Sequence, residues 1–171
     1  MSDESPPTRR VGLLSDTHGY LDPQVLAFFT DCDEIWHAGD IGNLKVAHKL
    51  EAFRPMRAVW GNIDGPEIRD LYPEVQRFSC GGVKVVIIHI GGYPGRYAKG
   101  VGALLKADPP DLFVCGHSHI LRVMPCPRLG LLHINPGACG KQGFHLEKTV
   151  VRFTLAEGKM SELQIGKLGA R

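Results

Sequence analysis

The chain has 171 residues, 43% of them hydrophobic and 22% charged, which is typical of one globular domain and excludes a disulfide-stapled or fully disordered class. Its net charge of +2 is far from the concentrated positive field of a dedicated nucleic-acid-binding surface. No stretch reaches the ~18 apolar residues of a membrane span, so no membrane partner is expected.

The N-terminal residues 1–9 are polar and contain prolines, without the apolar core of a signal peptide. They are predicted to form a disordered lead to a single domain over residues 10–171. The five cysteines are scattered, with no C-x-x-C pair, which favours a reducing cytoplasm over a disulfide framework.

The first part of the chain alternates short apolar runs with segments of helical periodicity. Asp22 is a typical N-cap residue, and it is followed by Pro23. Strands are predicted over 11–15, 34–37 and 56–60, and helices over 21–30 and 44–53. This β-α-β-α-β order predicts parallel strands.

The rest of the chain is richer in strands. Gly81-Gly82 indicates the turn of a hairpin between 75–78 and 83–89. A helix is predicted over 95–106, a strand over 112–115, and antiparallel strands over 121–124, 131–134, 149–155 and 159–165. The sequence therefore predicts an α/β fold with a mixed core of two sheets.

Metal-binding side chains follow the ends of several predicted strands. In open α/β sheets, loops at the carboxyl ends of strands bring distant residues together. Each block alone is a weak signal, but together they form an ordered set: Asp16-Thr17-His18, Gly39-Asp40, Gly61-Asn62, His89 and Gly116-His117-Ser118-His119.

These blocks resemble the calcineurin-like metallophosphoesterase superfamily, whose pattern is D-x-H, G-D, G-N, H and G-H-x-H. The short length and the later Asn135-Pro136-Gly137 are similar to its small bacterial and archaeal phosphodiesterase branch, to which the retromer subunit of similar size also belongs. The resemblance implies a four-layer α/β/β/α sandwich with two mixed sheets. It also implies two divalent metal ions per chain, with manganese preferred and nickel, zinc or iron as alternatives.

Carried onto this sequence, the resemblance assigns Asp16, His18 and His119 to one ion, and Asn62, His89 and His117 to the other. Asp40 would bridge both ions, and Asp40, Asn62 and His117 would form the catalytic set. The implied activity is a phosphodiesterase that hydrolyses phosphodiester bonds by attack of a metal-bound hydroxide.

Two residues depart from the pattern of larger relatives. Ile63 stands where many of them have a histidine that protonates the leaving group, which favours diesters with good leaving groups. Ile90 stands where glycine is usual, so the substrate loop differs. Arg96 and Tyr97, with Lys99 nearby, are predicted to contact substrate, because guanidinium groups match phosphate oxygens and aromatic rings stack on bases.

The expected substrate is a small phosphodiester or a nucleotide-like molecule. A noncatalytic protein-interaction scaffold of the same fold and a nuclease are the alternatives, and the sequence leaves a homo-oligomer open. His37 is interpreted as a packing or supporting residue rather than a ligand. Asp64 is assigned a supporting role, either in loop geometry or beside a neighbouring imidazole, while His145 has no motif role.

Overall fold

The computed structural model describes residues 5–171, so residues 1–4 of the predicted disordered lead lie outside the described residues. Within that range, strands and helices follow one another along the chain. In order they are β1 (Arg9–Leu14), α1 (Pro23–Phe28), β2 (Glu34–His37), α2 (Leu44–Phe53), β3 (Met56–Ala58), α3 (Pro66–Arg69), β4 (Val75–Cys80), β5 (Val83–Ile88), β6 (Gly92–Tyr93), β7 (Arg96–Tyr97), α4 (Val101–Ala107), β8 (Leu112–Val114), β9 (Leu121–Cys126), β10 (Leu131–Pro136), β11 (Glu147–Ala156) and β12 (Lys159–Ala170).

Two five-stranded sheets form the centre of the fold. The first has the order β12-β11-β1-β2-β3, in which β1, β2 and β3 are parallel and β11 and β12 are antiparallel additions. The second has the order β4-β5-β8-β10-β9, with β5, β8 and β10 parallel between antiparallel edges. The prediction of two mixed sheets is confirmed.

Three apolar clusters fill the spaces between the layers. The largest lies between the two sheets, where Trp36 and Phe153 of the first sheet share one core with Ile87 and Val114 of the second. A second core packs α1, α2 and α3 on the outer face of the first sheet. A third packs α4 on the second sheet. The result is the predicted α/β/β/α sandwich, with each large buried apolar side chain contributing ~1.5–3 kcal/mol.

Local signals explain where the first helices begin. Asp22 accepts a hydrogen bond from the backbone N–H of Gln24 at the start of α1, which carries Pro23 in its first turn. The Asn43 side chain caps α2 in the same way through Val46. Both helices therefore lie where the sequence predicts them.

The prediction of a helix over 95–106 is wrong at its start. Residues 92–97 form the β6–β7 hairpin, and α4 begins only at Val101. Gly100 precedes it with a φ of +84°, a left-handed conformation that ends any helical run from the N-terminal side. The one-turn helix α3 was not predicted, and β1 begins at Arg9, which pairs with Leu155.

The carboxyl ends of β1, β2 and β3 in one sheet and of β5 and β8 in the other meet at one edge of the sandwich. In the part of the chain that the structure describes, no helix is both long and apolar enough to cross a membrane.

Candidate metal centre

The loops that leave these five strands carry every predicted metal ligand, and the structure brings them together at this edge. Two groups of side chains are present, and within each group the ligand atoms all lie within 4.8 Å of one another. The first consists of Asp16, His18 and His119, and the second of Asp40, His89 and His117. Asn62 contacts the second group through its amide oxygen.

The first group contains buried polar atoms that nothing satisfies. Asp16 is fully buried, and its Oδ1 lies 3.1 Å from His119 Nε2 and 3.8 Å from His18 Nε2. Among residues 5–171, Asp16 Oδ1 and His18 Nε2 have no hydrogen-bond partner of acceptable geometry. Unsatisfied buried polar atoms are costly and call for an explanation. A cation between them satisfies both.

In the second group, the His89 ring turns an acceptor toward two other acceptors. His89 Nδ1 donates to the carbonyl oxygen of Ala38 at 2.7 Å, so in the neutral ring Nε2 carries the lone pair. That atom lies 3.0 Å from Asn62 Oδ1 and 3.2 Å from Asp40 Oδ2. A lone pair that faces an amide oxygen and a carboxylate is the arrangement expected around a cation.

Asp40, a member of the second group, also lies close to the first. Its Oδ2 is 3.4 Å from His18 Nε2 on one side and 3.2 Å from His89 Nε2 on the other. Its Oδ1 accepts a hydrogen bond from the backbone N–H of Ile63 at 3.0 Å, which fixes the carboxylate plane. This is the position that a bridging carboxylate requires.

The charge states of the centre also suit a metal. Burial alone would raise the pKa of Asp16, but the nearby imidazoles of His119, His18 and His89 outweigh it and hold the pKa well below its usual range. The pKa of Asp40 is lowered in the same way, burial being outweighed by His89. Burial lowers the pKa of His117. Ionised carboxylates beside imidazoles and an amide oxygen form a donor set that fits divalent transition metals.

The backbone at this edge is strained. Among the described residues other than glycine, seven have positive φ, and five of these are predicted ligands. The five are Asp16 (φ 55°), His18 (47°), Asp40 (55°), His117 (67°) and His119 (61°). Such conformations cost ~1–3 kcal/mol each and cluster at functional sites. The strain marks this edge independently of any sequence motif.

Two glycines of the predicted blocks leave room for the carboxylates. A Cβ atom at Gly61 would collide with the side chain of Asp40. A Cβ atom at Gly116 would collide with Ser15 and lie 2.8 Å from Asp16 Oδ2. Glycine is therefore required at both positions for close approach of the loops.

Asp64 joins the Asp40 loop to the Asn62 loop. Its buried carboxylate accepts hydrogen bonds from the backbone N–H groups of Ile41 (3.1 Å), Gly42 (2.8 Å) and Gly61 (2.8 Å). The predicted role in loop geometry agrees with these contacts. His37 likewise lies behind the centre, 2.9 Å from Thr17 Oγ1 and accepting from Gly39 N.

His145 is the functional candidate that the sequence did not reveal. Its Nε2 lies 2.9 Å from the carbonyl oxygen of Gly140, which can only accept, so Nε2 carries the hydrogen. Its Nδ1 lies 3.1 Å from His119 Nδ1 and, in the neutral ring, accepts the proton of that atom. The Nε2 lone pair of His119 is thereby directed toward Asp16. Loop residue 145 follows no motif, so only its contacts identify it.

The predicted substrate residues lie farther out. Arg96 is exposed on β7, while the Tyr97 ring packs 5.7 Å from Phe113 and 5.8 Å from His133. Neither lines the cavity that adjoins the centre, whereas Lys99 does. Ile63, the residue after Asn62, is 46% exposed, and its aliphatic side chain has no group that can donate a proton.

The cysteines are buried thiols. Burial raises the pKa of Cys115 and of Cys139 to about 12, which leaves both protonated and unreactive at neutral pH.

Comparison with known proteins gives a consistent result. Residues 10–158 match the family model described as the calcineurin-like phosphoesterase superfamily domain. A probable metallophosphoesterase of Methanothermobacter thermautotrophicus is 29% identical over 136 residues, 75% of this chain and 76% of that protein.

Two solved structures are similar in fold. A predicted phosphoesterase of Streptococcus pneumoniae has a TM-score of 0.68 at 20% identity, over 95% of this chain and 90% of that one. Vps29 of Entamoeba histolytica, solved in complex with zinc, has a TM-score of 0.63 at 16% identity, over 92% of this chain and 98% of that one.

Proposed function

We propose that this chain, which belongs to the calcineurin-like phosphoesterase superfamily, is a phosphodiesterase that works with two divalent metal ions. The position of Asp40 Oδ2 between His18 Nε2 and His89 Nε2 is the observation that carries the proposal. Manganese is the ion we expect, and nickel, zinc or iron are the alternatives. The zinc complex of the Entamoeba Vps29 indicates that this fold accepts zinc.

In the proposed assignment, Asp16, His18 and His119 would hold one ion, Asn62, His89 and His117 would hold the other, and Asp40 would contribute to both sites. When bound, the two ions supply an acidified water as nucleophile and offset the charge that develops on the phosphoryl oxygens.

The residues of the chain orient these groups. The carbonyl oxygen of Ala38 holds the Nδ1 proton of His89, so that His89 presents Nε2 to the centre. His145 holds the Nδ1 proton of His119 in the same way. The backbone N–H of Ile63 fixes Asp40. These three side chains are therefore oriented before substrate binds, which favours catalysis at a fixed site.

The preference for diesters follows from Ile63. An aliphatic side chain cannot donate a proton to a leaving oxygen, so the ~10²–10⁴-fold help of a general acid is missing at this position. Diesters with a leaving group that departs as a stable anion need that help least. We therefore propose that activated diesters are cleaved faster than alkyl monoesters.

The proposal is tested with bis(p-nitrophenyl) phosphate and p-nitrophenyl phosphate after loading with manganese. Asp40→Ala should lose turnover and retain fewer ions per chain by elemental analysis. Asp31→Ala, at a carboxylate that is 67% exposed and 4.0 Å from Arg10, is the matched control and should retain both. An Asp40→Ala variant that still turns over would overturn the bridging role.

The likeness to Vps29 supports a second candidate, a noncatalytic scaffold of the same fold. Elemental analysis combined with turnover of bis(p-nitrophenyl) phosphate separates the two, since about two ions per chain with turnover support the enzyme, whereas metal-loaded protein without turnover supports the scaffold. A nuclease is disfavoured by the net charge of +2. We also propose a reducing cytoplasm, consistent with the five buried thiols.

A further inference from the structure

A cavity of about 530 Å³ opens directly beside the candidate centre. Asn62 and His89 form part of its wall, so the cavity and the second metal-ligand group share residues. Its volume lies within the ~300–1,000 Å³ of small-molecule sites. A phosphodiester bound at the centre would thus have one of its ester arms at the mouth of this cavity.

The walls of the cavity are largely apolar. Trp60, Ile88, Val101 and Leu104 line it, and Ile88 and Val101 are only 8% and 7% exposed. The guanidinium carbon of Arg69 lies 4.0 Å from the centroid of the Trp60 ring. Trp60 lines the cavity and Arg69 does not, so Arg69 contacts the Trp60 ring without entering the cavity. A flat apolar group can therefore replace water along this surface.

Two exposed side chains of opposite charge, Glu74 and Lys99, line the same cavity. Their charges balance, so the cavity as a whole does not favour a second anionic group. Glu74 offers hydrogen-bond acceptors and Lys99 offers donors. An uncharged ring that carries both donors and acceptors on its edge matches the pair better than a sugar polyol or a plain alkyl chain.

We propose that this cavity binds an uncharged, hydrogen-bonding aromatic arm of the phosphodiester, of the nucleoside class, with the ring against the apolar wall and its polar edge toward Glu74 and Lys99. This inference rests on the proposed function in that the phosphate would bind at the metal centre. The binding of the aromatic arm to the cavity does not depend on catalysis. The arm can therefore be tested without turnover.

Adenosine and ribose are the probes for the metal-loaded protein, because neither carries a phosphate. The chain has two tryptophans, and Trp36 is fully buried between the sheets, so a fluorescence change reports Trp60. Adenosine should give a saturable change and ribose none. Trp60→Phe should remove the signal. Calorimetry gives the affinities of the other variants.

Glu74→Ala should weaken adenosine binding by ~3- to 10-fold, the effect of one lost hydrogen-bonding group. Glu147→Ala, at an exposed glutamate on β11, is the matched control and should bind as the parent does. Leu104→Trp, which fills the cavity from α4, should abolish adenosine binding. Because Glu74 is exposed, its variant stays informative if Leu104→Trp fails to fold.

Turnover then links the arm to the reaction. The kcat/KM for thymidine 5′-(p-nitrophenyl) phosphate should exceed that for methyl p-nitrophenyl phosphate by at least ~10-fold. Glu74→Ala should reduce this ratio, whereas Glu147→Ala should leave it unchanged. Equal kcat/KM values, or an active enzyme that does not bind adenosine, would overturn the cavity proposal. A protein that binds adenosine as expected but has no activity would instead refute the proposed phosphodiesterase function and support the cavity as a nucleoside site.

Discussion

Replacing His145 by alanine should weaken one metal site and leave the other intact. The substitution removes the acceptor that lies 3.1 Å from His119 Nδ1, so the His119 ring loses its fixed tautomer and orientation. Loss of such a supporting partner typically costs ~10–100-fold in metal affinity, or ~1.4–2.7 kcal/mol. The His119 side chain is 13% exposed, so water can replace only part of the lost contact.

The effect should be confined to the group formed by Asp16, His18 and His119. Within residues 5–171, the His145 ring makes hydrogen-bond contacts with His119 and with the carbonyl oxygen of Gly140, and neither of these residues belongs to the group of Asp40, His89 and His117. A titration of metal-free protein in competition with a chromophoric chelator should therefore resolve one weakened site and one site of parental affinity.

Two further variants make the result specific. Gln at position 145 can still accept a hydrogen bond through its side-chain oxygen, so His145→Gln should recover part of the affinity. His48→Ala removes an exposed histidine of α2 and should change neither site. Equal weakening of both sites, or parental affinity at both, would refute the tautomer argument.

Three other substitutions probe the surroundings of the centre. Asp64→Ala leaves three backbone N–H groups without their carboxylate acceptor. It should lower the free energy of unfolding by about 3 kcal/mol or more, which corresponds to a loss of at least ~6 °C in Tm. Asp70→Ala, at an exposed residue, is the control, and an unchanged Tm of Asp64→Ala would contradict the role in loop geometry. Ile63→His should raise the ratio of the rate on phenyl phosphate to the rate on bis(p-nitrophenyl) phosphate, because it supplies a proton donor. Ile120→His, at a site that is 55% exposed, should not raise this ratio. Identical ratios in the two variants would argue against the role of position 63. Burial, aided by the charge of Arg122, lowers the pKa of fully buried His133 to about 4, so the unfolded chain takes up a proton at this residue near pH 6.5, before the folded chain does. The contribution of His133 to stability should therefore be constant above pH 6.5 and fall below it by up to ~1.4 kcal/mol per pH unit. His133→Leu should remove this part of the slope in urea titrations at pH 7 and pH 5, and a slope equal to that of the parent would be the contrary result.

Local chemistry explains which elements the sequence predicted well. Asp22 and Asn43 are side-chain caps, and α1 and α2 begin directly after them. Gly81 and Gly82 both have positive φ and join β4 to β5, as a two-residue hairpin turn requires. In each case the information lies within a few residues of the element it determines.

The errors arise where structure depends on distant contacts. The helix predicted over 95–106 would include Gly95 and Gly100, but the β6–β7 pairing of Tyr93 with Arg96 places Gly95 in a hairpin turn. The parallel pairing of His133 in β10 with Phe113 in β8 has no local signature either. For the candidate centre, an ordered family motif predicted residues that the structure brings together. His145 contacts His119, which is 26 residues away in the sequence, and no motif predicts this contact.

The backbone around the ligands indicates that the protein, rather than an ion, sets the shape of the centre. Each strained loop is tied to a neighbour: Asp16 N donates to Gly39 O at 3.0 Å, His18 N to Asp40 O at 3.0 Å, and Gly140 N to Asp16 O at 3.1 Å. Left-handed conformations persist only where the surroundings over-determine them, and these hydrogen bonds together with Asp64 do so. Since the loops are already held, ion binding requires little rearrangement of the backbone. The affinity of each site then depends on how firmly its imidazoles are oriented, which is why a single residue behind His119 should affect one ion and not the other.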